Sequence, residues 1–474
     1  MRASGLRILG VVVALLAFAP AARAAGPGLL LGATEDGVRQ PTLLAAKAQM
    51  DLLALAGFRA VRISQAWTPG ARTLSKQDAT ILRNVADAAK LDGITVVTSV
   101  LNAGSRTTPL TAEDQADFAA YAASVVQTIP SLKVLIVGNE PNLNRYWLPQ
   151  FNDDGSDAAA PAYESLLAAT YDAVKAVAPS VAVLGGAVSP RGGDVGGGIR
   201  PTHSPTVFIR DLGAAYRASG RTLPIMDGFA FHPYEDNSSV APVVGLHPNT
   251  TTIALGDYDK LVALLGEAFD GTVQPGSTLP IWYDEFGVET QIPASKSSVY
   301  TGTEPTTTKP VPEATQAEYY RQAVALSFCQ PNVRALFLFH SVDEKGLAEW
   351  QSGVYYADGT PKASLRAVRA ALEESRRGVI AHCDGLQLTV RAKVAQRGPR
   401  LTMTCDLDCS YVAELYRLPG RLLATRRGRG VGGTPTTLSL RVPAMKASYR
   451  LRLSLVAPVN PGPATLRIVP LRSG

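Results

Sequence analysis

A chain of 474 residues is too long for one ordinary domain and suits a large domain followed by a small one. With 46% hydrophobic and 18% charged residues it has the composition of a globular protein, which excludes long-range disorder. The net charge of +6 hides an imbalance: from Ala381 onward there are 15 Lys and Arg against 4 Asp and Glu, and before it 31 against 36.

The chain opens on an export signal. Arg2 and Arg7 precede an apolar run over residues 8–19, and Ala22-Arg23-Ala24 makes a small-x-small cleavage site before Ala25. A membrane anchor is the rival reading, but a bilayer needs about 20 apolar residues and this run is shorter. No later segment is long and apolar enough to span a membrane, so residues 1–24 are expected to be removed and the remainder secreted or held at the cell envelope.

From residue 25 to 378, strand-like runs alternate with helix-like ones. The expected strands are 29–33, 58–66, 94–101, 132–139, 181–187, 226–232, 279–285 and 333–340. Between the first two, Leu43, Ala46, Met50 and Leu53 form one apolar helical face that Gly57 stops. Thr111 with Asp114 caps a helix over 112–129, and Leu365, Val368 and Leu372 repeat the helical spacing in the last unit. Eight such units in about 350 residues predict an α/β fold, a (β/α)8 TIM barrel with loop insertions. An open doubly wound sheet is the alternative, but no Gly-x-Gly-x-x-Gly follows the first strand.

Residues 379–474 read differently. Short runs of alternating polarity at 386–390, 401–404, 411–418, 438–442 and 449–455 are separated by turn-formers at 398–399, 419–420 and 428–433, predicting a small C-terminal β-sandwich. Its basic charge could hold an anionic cell-envelope polymer, or serve only as a solvated face. No recognition motif for nucleic acid accompanies it. The four cysteines form an even set suited to an oxidising compartment, with Cys405 expected to pair with Cys409 and Cys329 with Cys383. A zinc site is the competitor, yet a lone C-x3-C near His382 lacks zinc spacing.

A barrel carries its site at the carboxyl ends of its strands. There the fourth strand delivers Asn139-Glu140-Pro141, and the seventh, across the mouth, delivers Asp284-Glu285-Phe286. Two opposed carboxyl groups are what glycoside hydrolysis needs: one protonates the departing oxygen while the other attacks the anomeric carbon or activates water. Arg62 on the second strand, if it points inward, must find a charged partner there. His232 and Tyr234 share a face at the end of the sixth. Sugars stack on aromatic rings, and Trp67, Trp147 and Trp350 are candidates, with Trp147 and Trp350 in rim loops; Trp282 has the opposite parity from Glu285 and reads as core. Long insertions at 141–161, 189–204, 235–256 and 288–312 also fall on this face, the last rich in Thr, Ser and Pro.

The Asn139-Glu140-Pro141 run with Glu285 ending the seventh strand resembles clan A of the retaining glycoside hydrolases, the cellulase-like barrel superfamily. The resemblance implies that Glu140 is the acid/base, Glu285 the nucleophile and Asn139 a ligand of the sugar 2-hydroxyl. It further implies that Arg62 orients the nucleophile and that His232 and Tyr234 flank the two carboxylates. One departure is clear. Many members place a tryptophan at the end of the eighth strand, where this chain has Phe339-His340, so Phe339, His340 or Trp350 would form the sugar floor.

An oligo- or polysaccharide substrate follows, probed as β-linked O-glycosides, with no cofactor or metal required. Five histidines without His-x-His or His-Glu-x-x-His argue against a metallohydrolase, and no Gly-x-Ser-x-Gly elbow marks a serine hydrolase. A barrel that binds carbohydrate without turning it over is the remaining alternative.

Overall fold

The computed structural model describes residues 26–197, 199–378, 390–405, 409–430, 434–456 and 464–473. Eight parallel strands close into a barrel: β1 (Leu30–Thr34), β2 (Ala60–Trp67), β3 (Thr95–Asn102), β4 (Val134–Val137), β5 (Ala182–Val188), β6 (Gly228–Phe231), β7 (Ile281–Phe286) and β8 (Val333–Phe339), with β8 pairing back onto β1. The helices between and after them are α1 (Leu43–Ala56), α2 (Lys76–Asp92), α3 (Ala112–Thr128), α4 (Ala159–Val177), α5 (Pro205–Ala218), α6 (Tyr258–Phe269), α7 (Glu313–Cys329) and α8 (Leu365–Arg377). This is the expected TIM barrel.

Local chemistry sets the helix ends. The Thr42 hydroxyl accepts from the Ala45 amide to start α1, and Gly57 closes it in a left-handed conformation. The expected cap on α3 is present, Thr111 accepting from the Asp114 amide. Among the described residues no helix is long and apolar enough to cross a membrane.

The barrel interior is packed in layers. Ala60, Val97, Ile136, Leu184, Ala230 and Phe337 fill the lumen, and Trp282 lies over Phe337 with ring centroids 6.4 Å apart. Gly32 belongs here because a Cβ would stand 2.6 Å from the Phe337 ring and 2.7 Å from the Ala60 carbonyl oxygen. Two residues further along β2, β6 and β7, the inward-facing positions become polar: Arg62 above Ala60, His232 above Ala230, Asp284 above Trp282. The apolar floor thus supports a charged layer at the mouth.

After Gly378 caps α8, the next described strands are β9 (Ala392–Arg397), β10 (Arg400–Cys405), β11 (Cys409–Arg417), β12 (Arg421–Gly430), β13 (Thr436–Arg441), β14 (Tyr449–Val456) and β15 (Thr465–Leu471). They form an antiparallel three-stranded sheet β13-β10-β9 and a four-stranded sheet β12-β11-β14-β15. Leu401, Met403 and Leu438 of the first and Tyr411, Leu415, Leu451 and Leu453 of the second are buried, as a β-sandwich requires.

Three strands here escaped the sequence pattern. β9 has a single buried residue, β12 and β15 expose most of theirs, and β12 runs through Gly428, where a turn was expected. The strand expected at 386–390 lies mostly outside the described residues. Cys405 and Cys409 form the anticipated disulfide. Cys329 is also disulfide-bonded, while Cys383, its expected partner, lies outside the described residues.

Candidate active site

Glu140 is delivered by a bend rather than by the strand itself. β4 stops at Val137, and Gly138 then turns the chain with φ +82, where a side chain would be strained and its Cβ would press on Tyr163 at 3.2 Å. Glu140 itself holds φ +41, an uncommon conformation for a residue with a side chain, and its amide donates to the Ala187 carbonyl at 2.8 Å. Strained backbone at this position presents the carboxyl group to the cavity.

Glu285 is delivered by a bulge. Tyr283 pairs with Leu336 and Phe286 with Leu338, so Asp284 and Glu285 together oppose the single residue Phe337. Tyr283 and Phe286 face the helices, and both acids between them face the barrel mouth. Strict alternation would separate them.

Arg62 joins the groups. Its Nη1 donates to Glu285 Oε1 at 2.5 Å, its Nη2 to Asn139 Oδ1 at 3.1 Å, and its Nε lies 3.5 Å from Asp284 Oδ2. Burial opposes its charge, but Glu285, Asp284 and Asp36 outweigh that cost and the guanidinium is held more firmly protonated than usual. The expectation that an inward Arg62 must be paired is met by two carboxylates.

His232 links the two glutamates from the other side. Its Nδ1 is 3.0 Å from Glu140 Oε1 and 3.5 Å from Glu285 Oε2, and its Nε2 is 3.3 Å from Asp284 Oδ2. Burial lowers its pKa, yet Glu285, Asp284 and the hydrogen bonds to Asp284 and Glu140 overcome this and push it up to about 10. With a carboxylate oxygen facing each ring nitrogen, the ring is placed to donate from both. Tyr234 donates its hydroxyl to Glu285 Oε2 at 3.1 Å, and burial beside Glu285 and Glu140 raises its pKa well above the ordinary phenol value.

One donor atom each from Glu140, His232 and Glu285 lies within 4.8 Å of the others, close enough to gather a metal ion. With both ring nitrogens of His232 against carboxylates, the set also suits proton handling.

Trp350 comes in from the loop after β8. Its ring centroid is 4.9 Å from that of Tyr234, the tyrosine that donates to Glu285, and 5.2 Å from that of Phe339, and it remains half-buried. His340 follows β8 with φ +115; its Nδ1 sits 3.1 Å from the Thr34 carbonyl, its ring centroid 4.0 Å from that of Phe339, and its buried Nε2 has no hydrogen-bond partner.

Trp147 corrects the sequence reading. Expected in a rim loop with its ring open to sugar, it is 1% exposed and packs edge-on against Tyr163 at 5.7 Å. The loop folds back on α4, leaving no free aromatic face. Trp67 is likewise buried, against Phe118, whereas Trp282 occupies the core position its parity suggested.

Asp284 was missed, although it is fully buried between Arg62 and His232. Its place beside Glu285 in the sequence was the available signal, and alternation argued against it. Tyr146, half-buried after β4, was missed as well; burial and the charges of Glu140 and Glu285 raise its pKa.

No protein-family model and no curated protein sequence matches the chain. Solved structures do match its fold. A GH5_18 protein from Streptomyces cattleya in complex with GlcNAc is 17% identical, with 74% of this chain and 81% of that one covered and a TM-score of 0.50. A variant of the GH5_18 protein from that organism, in complex with Manb1-4GlcNAc, is also 17% identical, covering 73% and 81% at a TM-score of 0.50. A monomeric β-xylosidase from Caulobacter crescentus CB15 is 16% identical, covering 88% and 96% at a TM-score of 0.46. The protein is thus a (β/α)8 barrel of the fold seen in glycoside hydrolases, with two glutamates meeting at its mouth.

Proposed function

We propose that the chain is a glycoside hydrolase that cleaves β-linked O-glycosides with retention, Glu285 acting as nucleophile and Glu140 as general acid and base. The observation carrying this reading is the closeness of the two carboxyl groups, an oxygen of each within 4.8 Å of the other. Retaining glycosidases hold theirs about 5–5.5 Å apart, and inverting ones need a wider gap to admit water.

In the first step Glu285 bonds to the anomeric carbon as the bond to the leaving oxygen breaks, and the proton of Glu140 passes to that oxygen. In the second, Glu140 takes a proton from water, which displaces Glu285 and releases the sugar. Arg62 and His232 lie between the acids, Arg62 against Asp284 and Glu285 and His232 against Asp284 and Glu140. Asn139 accepts from Arg62 through its oxygen, which leaves its amide nitrogen to bind a sugar hydroxyl. Trp350 offers the stacking surface, while Phe339 and His340 line the floor beneath it.

The test is a panel of aryl β-glycosides, including the sugars bound by the structural neighbours, with Glu285→Ala as control. Hydrolysis by the native chain should fall more than about 1,000-fold in the variant, while folding is retained. Oligosaccharide binding without hydrolysis of any member would favour a non-catalytic carbohydrate-binding protein instead.

Residues 1–24 are inferred to direct export, and mass spectrometry of the exported chain should then find Ala25 first. The basic sandwich is inferred to hold an anionic envelope polymer. Supporting this, Arg427, Arg429, Arg450 and Arg452 project from the outer face of one sheet, opposite Val412, Ser410, Tyr416 and Glu414 of β11. Retention of the native chain in polygalacturonate gels, lost on paired Arg427→Glu and Arg452→Glu substitution, is the expected result.

A further inference from the structure

Asp284 has no part in the two-carboxylate scheme, yet it is the most enclosed acid of the site. Its side chain is fully buried, with one oxygen, Oδ2, 3.5 Å from Arg62 Nε and 3.3 Å from His232 Nε2. The other oxygen has no hydrogen-bond partner. The Thr34 hydroxyl donates to the Asp284 carbonyl at 2.6 Å and fixes the backbone there. The same bulge that turns Glu285 into the mouth keeps this neighbour beneath it.

A buried carboxylate without full solvation is costly unless its charge is answered. Here two cations answer it, and each also reaches a glutamate at the mouth: Arg62 touches Glu285, and His232 touches Glu140. Asp284 thus contacts both cations, as Glu285 does, but is itself closed to solvent.

We propose that Asp284 is a positioning residue that keeps His232 permanently charged, so that His232 orients Glu140 without ever accepting its proton. The claim rests on the assignment of Glu140 as general acid. A neutral imidazole facing a carboxylic acid can take its proton, whereas an imidazolium has no lone pair to receive one. Held in the charged form, His232 donates to Glu140 Oε1 and leaves the acid's proton for the departing glycosidic oxygen. The groups facing His232 are Glu140 after β4, Asp284 and Glu285 on β7, and the Tyr234 ring at 6.4 Å; Arg62 lies beyond Asp284, and Tyr146 lies beside the two glutamates. The raised His232 pKa agrees with this geometry.

The test has two arms on the full-length chain. Ring nitrogen NMR of histidine-labelled protein, with the His232 signal assigned by its loss in His232→Gln, should show an imidazolium at pH 8 in the native chain and, in Asp284→Asn, a ring that loses its proton about 1 to 3 pH units lower. Kinetics on an aryl glycoside should show the alkaline limb of kcat/KM moving down by about 1 to 3 pH units in Asp284→Asn, as loss of a neighbouring opposite charge implies. The variant should therefore lose more activity at pH 9 than at pH 5.

A uniform loss at every pH would mean that Asp284 only supports the fold, and would overturn the proposal. So would a neutral His232 at pH 8 in the native chain, a result that needs no variant to fold. The NMR arm uses no substrate: a charged His232 in a chain that hydrolyses nothing would sink the glycosidase reading instead.

Discussion

Arg62 on β2 reaches across the barrel mouth to Glu285 on β7, donating Nη1 to Oε1 at 2.5 Å. Both side chains are almost fully enclosed, 2% and 10% exposed, so the pair is little screened by solvent. Arg62 also carries Asn139, which ties the tip of β4 to the nucleophile position.

Removing Arg62 should therefore be felt in the fold as well as in activity. Arg62→Ala leaves Asp284 and Glu285 with fewer counter-charges in a buried layer, and breaking such a pair costs about 3–5 kcal/mol. Denaturant unfolding will measure it; a cost below about 1 kcal/mol, the range of an exposed pair, would contradict the enclosed geometry.

The two rim tryptophans named from the sequence should now behave oppositely. Trp147→Ala empties a core position and should cost about 3–5 kcal/mol of stability without a selective change in KM. Trp350→Ala should leave unfolding nearly unchanged and raise KM by about 10-fold, the scale of one lost aromatic contact. Equal stability losses in both would refute this distinction.

His232 makes stability depend on pH with a definite sign. Its pKa rises from the ordinary 6.5 to about 10 in the folded chain, so folding favours the protonated form. The contribution is complete below pH 6.5 and disappears as pH climbs through about 10. Urea midpoints measured at pH 6, 8 and 10 should fall more steeply for the native chain than for His232→Gln. Parallel curves would show that His232 is not charged in the folded state.

Glu140→Ala should discriminate among leaving groups. Losing a general acid costs about 100- to 10,000-fold where the departing oxygen must be protonated, and far less for a nitrophenolate that leaves unaided. Equal losses on both kinds of substrate, compared by kcat/KM, would remove Glu140 from the acid role.

The barrel was legible because its strands are short apolar runs with many β-branched residues, such as Val134-Leu135-Ile136-Val137, separated by capped helices. Glu140, Glu285, Arg62 and His232 were legible because strand ends in this fold converge on one mouth. Two physical effects hid the rest. Asp284 depends on a bulge that no alternation rule anticipates, and the burial of Trp147 depends on how its loop folds back upon Tyr163. In the C-terminal sheets, edge strands such as β12 and β15 bury few side chains, so their exposed residues mask the strand period.

The extra residue in β7 has a consequence for any attempt to redesign this chain. Deleting one residue between Tyr283 and Phe286 would restore an even ladder with β8, the kind of regularity that usually strengthens a sheet. It would also leave room for only one acid between two outward-facing aromatic neighbours. A tidier strand would make a sturdier barrel that keeps either its nucleophile or the acid beneath it, not both.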